Sequence, residues 1–367
     1  MENSKVKLRN KLLFTPGPLT TAPEVKEAML TDLGSRDQAF TGIVRDVRKQ
    51  LLHLAGVSAD EYACVLLQGP GTFGLEAIAS SAVPRDGHLL AVINGAYGTR
   101  MANIAEVHGI RTTRLSFEEN EWPDVGQVRA ALAADPSITH VSVVHSETTT
   151  GIVNDIESIG QAVKQSGKIY MVDAMSSFGA VPIDFERCGI DFLVSSSNKC
   201  IESVPGFTYV ICRKAALEQC RGQARTVSFD LYAQWQGLER DGQFRFTPPT
   251  HAILAFHKAL ELFDREGGVA ARAKRYGENH RTLVEGMTAM GFKTYLDSEK
   301  QGYIITSFLY PEKDFNFADF YSKLNDQGFV IYPGKLSQAD CFRIGHIGQI
   351  FPDDVKRLLA AVKEIRG

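Results

Sequence analysis

Short apolar runs alternate with amphipathic stretches over much of the first two thirds of the chain. Between about residues 60 and 212 the strand-like runs are ACVLLQ, HLLAVI, THVSVVH, KIYMVD, DFLVSSS and FTYVICR, and helical patterns such as TFGLEAIASSAV and DIESIGQAVKQSG lie between several of them. Near-continuous apolar strands separated by amphipathic helices are typical of a mostly parallel sheet that is covered on both faces. The pattern therefore predicts an α/β domain.

The last third of the chain carries a different pattern. FTPPTH at 246–251 has adjacent prolines and predicts the start of a helix, and a second helical stretch runs to about residue 290. The segments that follow predict strand, helix, strand, strand and helix: GYIITSFLY, FADFYSKLNDQ, GFVIYP, CFRIG and DDVKRLLAAVKEI. We therefore predict an N-terminal arm over residues 1–20, a large domain over residues 21–255 and a small C-terminal α+β domain over residues 256–367.

Composition excludes several classes of protein. The chain has 367 residues, of which 44% are hydrophobic and 23% charged, as in an ordinary soluble globular protein. A net charge of −3 provides no basic field for nucleic acid or acidic lipid. No apolar run approaches the length of a membrane span or a signal peptide, and the six cysteines form no CxxC pair. We expect a cytoplasmic protein with free thiols, and no metal site, because His145 and Glu147 lack a third ligand at metal spacing.

Polar residues follow the predicted parallel strands at their carboxyl ends, where ligands of such sheets bind. They are Gln68, Asn94, His145, Asp173, Asn198 and Lys199. Asp173 and Lys199 are the pair that a pyridoxal phosphate site needs, since the lysine forms an imine with the cofactor aldehyde and the carboxylate pairs with the pyridinium nitrogen. Taken alone, a lysine and an aspartate at strand ends are more often solvated caps, so the interpretation depends on other motifs.

The segment Gly69-Pro70-Gly71-Thr72-Phe73-Gly74 matches GxGxxG between a strand and a helix. A dinucleotide site also needs an acidic residue at the end of the next strand, but that strand ends at Asn94. We therefore expect the loop to bind a single phosphate, through backbone N–H groups at a helix N-terminus and the Thr72 hydroxyl. The alternative is a tight turn that uses glycine for close packing.

Two further strand ends carry groups that suit a planar heterocycle. Tyr97 follows one strand and could stack on such a ring, and the segment HSETTTG at 145–151 could bring hydroxyls to ring substituents. An aromatic core residue and an ordinary capping turn are the alternatives for these two features. A serine hydrolase is excluded, because the chain has no GxSxG elbow.

A series of motifs, in this order from about residue 12 to 350, resembles the class V aminotransferases of the pyridoxal phosphate fold-type I group. The motifs are FTPGPLTT, LLQGPGT, NGAYGTRM, VHSETTTGI, MVDAMSSFGAVPID, SSSNKC, SVPGF, FTPPTH and YPGKLSQADCFRIGHIG. The resemblance implies a large domain with a mostly parallel seven-stranded sheet, a smaller C-terminal α+β domain, pyridoxal 5′-phosphate as cofactor, and a homodimer with a shared active site. Within the family, FTPGPLTT, DLYAQW and CFRIGHIG are similar to phosphonate-degrading members that transfer the amino group of 2-aminoethylphosphonate to pyruvate, which gives phosphonoacetaldehyde and L-alanine.

The resemblance also implies a role for each candidate site residue. Lys199 would bind the cofactor aldehyde and then move the proton of the reaction, and Asp173 would bind the pyridinium nitrogen. Arg343 would grip the substrate anion, because guanidinium presents a bidentate fork. The other cofactor contacts would be Gly71, Thr72 and Asn198 at the phosphate, Tyr97 and Met175 on the two ring faces, Thr149 near the ring hydroxyl, and Thr247 of the partner subunit at the phosphate.

Two departures from the family pattern leave alternatives open. Pro70 stands where a serine is common in the phosphate loop, and Phe244 stands where an aromatic hydroxyl is common. An alanine or serine:glyoxylate aminotransferase would use Arg343 equally well. A cysteine desulfurase needs a mobile nucleophilic cysteine, but Cys341 lies in a predicted strand. A non-catalytic cofactor-binding or regulatory module remains a third alternative, although no basic stripe supports it.

Overall fold

A seven-stranded sheet forms the centre of the larger part of the molecule, which we describe from a computed structural model covering residues 10–336 and 339–366. The strands are β1 (Leu12–Leu13), β2 (Tyr62–Gln68), β3 (His88–Ile93), β4 (Arg111–Ser116), β5 (His140–Val144), β6 (Ser146–Glu147), β7 (Ile152–Val153), β8 (Ile169–Asp173), β9 (Phe192–Ser196), β10 (Phe207–Arg213), β11 (Ile305–Leu309), β12 (Phe329–Val330), β13 (Tyr332–Pro333) and β14 (Cys341–Gly345).

Helices connect most of these strands. They are α1 (Pro23–Glu27), α2 (Gln38–Leu54), α3 (Gly71–Ala82), α4 (Ala96–Val107), α5 (Val125–Ala134), α6 (Ile156–Gln165), α7 (Phe185–Cys188), α8 (Lys214–Gln219), α9 (Leu231–Asp241), α10 (Thr250–Glu266), α11 (Gly268–Ala289), α12 (Phe317–Asp326) and α13 (Pro352–Arg366), with a 3₁₀ turn at Ala28–Leu30. Many begin at an acidic or amide residue whose side chain accepts a hydrogen bond from an N–H of the first turn, which satisfies an otherwise free donor. These residues are Asp37, Asp124, Asp155, Asp184, Asp230 and Asn316.

The order of the large sheet is β2-β10-β9-β8-β5-β3-β4. β10 runs antiparallel to both of its neighbours, and the other six strands share one direction. The predicted mostly parallel seven-stranded sheet is therefore confirmed. Because six strands share a direction, their carboxyl ends meet at one edge of the sheet, where the polar residues singled out above follow them.

The strands differ in burial according to their position in the sheet. β3, β5 and β9 are buried along their whole length, as expected for apolar strands covered on both faces. The edge strand β4 has the sequence RTTRLS and exposes most of its residues. Polar, charged side chains on an edge strand oppose pairing with another chain.

A smaller sheet, β11-β14-β13, forms with α11, α12 and α13 a second packing unit. Its core includes Phe308, Phe342 and Leu358, and Phe14 from the N-terminal segment also packs there. Helix α10 runs through the predicted boundary at residue 255, and its Phe263 belongs to the core of the large sheet. The domain boundaries stay a prediction, and residues 1–9 of the predicted arm lie outside the described residues.

Two observations concern the described residues as a whole. No helix within residues 10–336 and 339–366 combines the length and the apolarity needed to cross a membrane. All six cysteines are free and buried: Cys64, Cys188, Cys200, Cys212, Cys220 and Cys341.

Candidate active site

A cavity of about 180 Å³ opens at the carboxyl edge of the large sheet, and both Asp173 and Lys199 line it. Asp173 is the last residue of β8, and Lys199 follows the end of the neighbouring strand β9 by three residues. The full lining is Pro70, Gly71, Thr72, Tyr97, Arg100, Val144, Ser146, Asp173, Met175, Ser176, Ser196, Asn198 and Lys199. Larger cavities of about 500 and 610 Å³ lie elsewhere, but neither includes this pair of side chains.

The Asp173 carboxyl group is buried, and the backbone N–H of Met175 donates to its Oδ1 at 3.0 Å. Burial raises the pKa of Asp173 to about 6, although the Met175 N–H and the nearby cations Arg100 and Lys199 partly offset that effect. A cation held against this carboxylate would restore its charged form. The pyridinium nitrogen of pyridoxal phosphate is such a group.

The Lys199 side chain is half-buried in the cavity wall, and this burial lowers the pKa of its amine below the usual value. Its Nζ donates a hydrogen bond of 2.7 Å to the carbonyl of Pro16, so the FTPGPLTT segment lies over the lysine. A Cβ atom at Gly17 would stand 2.9 Å from Lys199 Cδ, and the φ of Gly17 is +128°. The backbone conformation therefore favours glycine at position 17, and a side chain there would also displace the end of Lys199.

The glycine-rich loop places the N-terminus of α3 at the cavity. Pro70 is the N-cap residue and provides no side-chain cap, so the first backbone N–H groups of α3 are not capped by it. A Cβ atom at Gly71 would lie 1.8 Å from Met175 Sδ, which shows how closely the loop packs on Met175. An anion-binding helix N-terminus lined by Thr72 and Asn198 fits a single phosphate.

Tyr97 and Arg100 form one wall of the cavity, on the first turn of α4. The Arg100 guanidinium lies 4.7 Å from the centre of the Tyr97 ring, and its Nη1 donates to Thr72 Oγ1 at 3.2 Å. Burial alone raises the pKa of Tyr97, but a hydrogen bond with Thr148 and the cations Lys199, Lys335 and Arg343 together lower it below the usual value. Arg100 was missed at the sequence level, although its i,i+3 spacing from Tyr97 places both on one helix face.

Glu147 is a buried carboxylate that holds two of the predicted cofactor contacts in place. Its side chain accepts hydrogen bonds from the Tyr97 N–H at 3.1 Å and from Thr149 Oγ1 at 2.9 Å. Burial raises the pKa of Glu147 to about 7, and these hydrogen bonds partly counter the rise. Thr149 is fully buried behind the cavity wall, and its predicted contact with the cofactor stays a prediction.

Two hydroxyls in the cavity wall have no hydrogen-bond partner among the described residues. They are Ser146 Oγ and Ser196 Oγ, both buried. Buried hydroxyls are normally paired, so these two are suited to the polar groups of a ligand. A half-buried lysine, a buried carboxylate without a salt-bridge partner among the described residues, an uncapped helix N-terminus and unpaired hydroxyls together fit pyridoxal phosphate.

Arg343 and Thr247 lie outside the immediate wall of the cavity. Arg343 is buried in β14, where its Nε donates to the Pro333 carbonyl at 3.0 Å and its Nη1 to the Thr148 carbonyl at 2.8 Å. Thr148 is next to Glu147, whose carboxylate accepts from the Tyr97 N–H, so Arg343 reaches the loop behind the Tyr97 wall. The Thr247 carbonyl accepts a hydrogen bond from Gln68 Nε2 at 3.1 Å, and Thr247 does not line the Lys199 cavity of its own chain.

Cys341 is the residue on which a cysteine desulfurase would depend. It begins the predicted strand, now β14, and its side chain is buried. Burial raises the pKa of its thiol, which disfavours the reactive thiolate.

Comparisons with known proteins agree on one family. The family model described as aminotransferase class-V matches residues 26–343. A 2-aminoethylphosphonate–pyruvate transaminase from Phocaeicola vulgatus is 51% identical over 360 residues, which cover 98% of this chain and 99% of the relative. A transaminase of the same name from Syntrophobacter fumaroxidans is 52% identical over 355 residues, covering 96% of this chain and 95% of the relative.

A solved structure extends the agreement to three dimensions. The pyridoxamine-pyruvate aminotransferase from Mesorhizobium loti superposes with a TM-score of 0.89 at 27% sequence identity, and the match covers 98% of this chain and 93% of that one.

Proposed function

The chain belongs to the class V aminotransferase family, and we propose that it transfers the amino group of 2-aminoethylphosphonate to pyruvate, giving phosphonoacetaldehyde and L-alanine. The observation that carries this proposal is that the buried Asp173 and the half-buried Lys199 line one cavity beside the N-terminus of α3. Two relatives support the choice of substrates, because both are named for this reaction and share about 50% sequence identity with nearly the whole chain.

Enzymes of this family depend on pyridoxal 5′-phosphate, and this protein shares that cofactor. When bound, the cofactor supplies an aldehyde that carries the amino group and a ring that withdraws electrons from the adjacent carbon. We assign Asp173 to the ring nitrogen, Tyr97 and Met175 to the ring faces, Thr149 to the ring hydroxyl, and Lys199 to the aldehyde. We assign Gly71, Thr72 and Asn198 to the phosphate group, which the helix dipole of α3 would also stabilise.

Lys199 Nζ moves the proton of the reaction. Its lowered pKa favours the neutral amine, which can take a proton from the carbon that bears the amino group and return it. The carbonyl of Pro16 can hold the amine between these transfers.

Arg343 binds the anionic end of each substrate in the proposed reaction. The phosphonate of 2-aminoethylphosphonate and the carboxylate of pyruvate are both anions that a guanidinium recognises. The hydrogen bonds from Arg343 to Pro333 and Thr148 fix the direction of the side chain between the small sheet and the loop after β5. Guanidinium recognition alone does not separate the two anions, so a measurement on different donors is needed.

A homodimer completes the proposed site. Thr247 does not line the Lys199 cavity of its own chain. Exposed apolar side chains lie near it: Phe246 is its neighbour in sequence, and the carbonyl of Val227 accepts a hydrogen bond from Arg245. Thr247 of the partner subunit would then add a hydroxyl at the cofactor phosphate.

A cytoplasmic location suits an enzyme that uses pyruvate, and cell fractionation would test it.

The proposal is tested by absorbance spectra of the cofactor-loaded protein with 2-aminoethylphosphonate, alanine and serine in separate cuvettes. We expect 2-aminoethylphosphonate and alanine to bleach the yellow band of the lysine-bound cofactor, and pyruvate to restore it. Bleaching by alanine or serine but not by the phosphonate would instead support an amino acid:glyoxylate aminotransferase. Absence of any such band after addition of pyridoxal phosphate would overturn the cofactor assignment.

A further inference from the structure

Glu202 lies three residues after Lys199 and has a backbone conformation that its residue type disfavours. Its φ is +63°, and every other positive φ within residues 10–336 and 339–366 belongs to a glycine. The left-handed region is unfavourable for a residue with a side chain, because the Cβ atom crowds the following carbonyl oxygen. Such a conformation persists only where the surrounding contacts hold it in place, so the contacts of the Glu202 side chain must stabilise it.

The Glu202 carboxylate is buried and receives donors from two separate parts of the chain. Tyr276 Oη donates to its Oε1 at 2.5 Å, and Arg275 Nη2 lies 2.7 Å from the same oxygen. Gln349 Nε2 donates to Oε2 at 2.8 Å. Arg272 Nη1 adds a charge contact at 3.4 Å. We call Glu202, Arg272, Arg275, Tyr276 and Gln349 the Glu202 cluster.

The backbone of Glu202 belongs to the turn that carries the reactive lysine. Its N–H donates to the Lys199 carbonyl at 2.7 Å, which closes residues 199–202 into a turn. Within the same turn, the carbonyl of Cys200 accepts a hydrogen bond from Arg272. Helix α11 therefore holds the Lys199 turn both through the Glu202 side chain and through a main-chain oxygen.

The same cluster reaches the loop that follows the Arg343 strand. Arg275 Nη1 donates to the Gly348 carbonyl at 2.6 Å, and the Gly348 N–H donates to the Tyr276 hydroxyl oxygen at 3.2 Å. The Gln349 N–H in turn donates to the Thr20 carbonyl at 2.8 Å. Thr20 lies on the N-terminal segment whose Pro16 carbonyl accepts from Lys199. Glu202 thus connects the Lys199 turn to α11 and to the loop after β14, and Gln349 extends this connection to the N-terminal segment.

We propose that Glu202 is a positioning residue that fixes the Lys199 turn against α11 and the loop after the Arg343 strand. This inference rests on the proposed function of Lys199, because a fixed turn matters only if its amine transfers the proton. A displacement of about 1 Å in a reacting group can lower a rate by about 100-fold. The disfavoured backbone conformation is retained because the carboxylate at this position joins the segments that place the amine.

The test compares Glu202→Ala and Glu202→Gln with Glu266→Gln in the cofactor-loaded enzyme. Glu266 pairs with the same two arginines, at 2.7 Å from Arg272 and 2.8 Å from Arg275, but makes no contact with the Lys199 turn among the described residues. It therefore matches Glu202 in charge and in its arginine partners. The measurements are kcat and KM for amino transfer, circular dichroism of the cofactor band, and the unfolding midpoint.

We expect Glu202→Ala to lower kcat by about 10- to 100-fold with KM changed less than about threefold, and to weaken the dichroism of the cofactor band. Glu202→Gln keeps an oxygen that accepts from Tyr276 and Arg275, so it should recover most of kcat. Glu266→Gln should lower the unfolding midpoint but keep kcat within about twofold. If Glu202→Ala does not fold, Tyr276→Phe, which removes one donor to the carboxylate, should lower kcat about three- to tenfold.

Two results would overturn the positioning role. One is wild-type kcat and dichroism in Glu202→Ala or Tyr276→Phe. The other is an equal loss of kcat in Glu266→Gln, since that would make the cluster a structural support without a specific effect on Lys199. Failure of the proposed function is distinguishable, because the wild-type protein would then show neither the cofactor band nor turnover.

Discussion

Two sets of charged residues lie on either side of the Lys199 turn, and their charges are balanced in different ways. On the cavity side, Asp173 receives a backbone N–H and Lys199 donates to a backbone carbonyl. On the α11 side, Glu202 is paired with Arg275 at 2.7 Å and with neutral donors as well. Burial raises the pKa of Asp173 and lowers the pKa of Lys199, so it favours the neutral form of each group.

The difference separates groups that react from groups that hold them. A buried charge without a full partner is costly and remains available to a ligand, whereas a fully paired buried cluster is rigid but chemically inert. The cavity side therefore has the properties of a binding and proton-transfer site, and the α11 side has those of its support. The predictions below test that division.

The largest expected effect follows removal of the lysine. Lys199→Ala should lower amino transfer by at least about 1,000-fold, because both the covalent attachment and the proton transfer depend on its amine. Cofactor docking through the phosphate loop should persist, so the absorbance should be that of unattached pyridoxal phosphate. Lys168→Ala is a matched control, since Lys168 Nζ also donates to a proline carbonyl, that of Pro136 at 2.9 Å, but on the exposed surface. Normal turnover in Lys199→Ala would show that the lysine is misassigned.

The second effect concerns the carboxylate of the cavity. Asp173→Asn should lower kcat by about 100-fold or more, because a neutral amide cannot stabilise a protonated ring nitrogen. Asp191→Asn is the control: the Asp191 carboxylate also accepts from a backbone N–H, that of Tyr170 at 2.9 Å, and burial also raises its pKa. Asp191 lies at the start of β9, at the opposite edge of the sheet, so its variant should keep kcat within about twofold. Steady-state kinetics of both variants would measure these changes in kcat. Equal losses of kcat in the two variants would contradict the assignment of Asp173 to the ring nitrogen.

The same substitution should have the opposite effect on stability when the cofactor is absent. An unfolded aspartate has a pKa of about 3.9, whereas burial raises the pKa of Asp173 to about 6. Since the folded protein then binds more protons than the unfolded chain, the free energy of unfolding falls as pH rises from about 4 to about 6, and stays lower above that range. Asp173→Asn removes this cost and should be more stable than the parent by about 1–3 kcal/mol at about pH 8.

The pH dependence supplies the control for this stability gain. Below about pH 3 the Asp173 carboxyl group is protonated in both the folded and the unfolded protein, so the gain should vanish there. Denaturant unfolding of both proteins at several pH values measures it. A loss of stability at about pH 8 would show that Asp173 already has a sufficient partner in the cofactor-free protein. A gain that is independent of pH would show that it does not arise from ionisation of Asp173.

The smallest effect is expected at the Tyr97 wall. Tyr97→Phe keeps the ring and loses the hydroxyl, so cofactor affinity should weaken only about two- to fivefold. Tyr97→Leu also removes the aromatic face, and it should weaken cofactor binding by a further amount of about 0.5–1.5 kcal/mol. Titration of the cofactor-free variants with pyridoxal phosphate measures both. Equal affinities for the Leu and Phe variants would argue against ring stacking.

Much of the fold and the cavity side could be predicted from the sequence, for a local reason. Apolar runs indicate parallel strands, and parallel strands bring their carboxyl ends to one edge, so Asp173 and Lys199 could be placed together without a structure. The fold class and the family are confirmed. The individual site roles and the domain boundaries remain predictions.

The α11 side could not be predicted, because its contacts join residues far apart in the chain. Glu202 meets Arg275 and Gln349, which are 73 and 147 positions away. Nothing in the segment NKCIES signals a left-handed backbone at a glutamate, since that conformation is imposed by tertiary contacts. The hydrogen bond from Lys199 to Pro16 is equally non-local, at a separation of 183 residues. Arg100 differs from these, because helix spacing from Tyr97 could have indicated it.

The most direct test of the division between a reactive and a supporting side is to identify the residue that carries the cofactor. The protein would be loaded with pyridoxal phosphate, reduced with borohydride, digested and mapped by mass spectrometry. We predict a single modified site at Lys199, and no modification in Lys199→Ala. Modification of another lysine in the wild-type protein, or of none, would contradict the assignment of the cavity side as the active site.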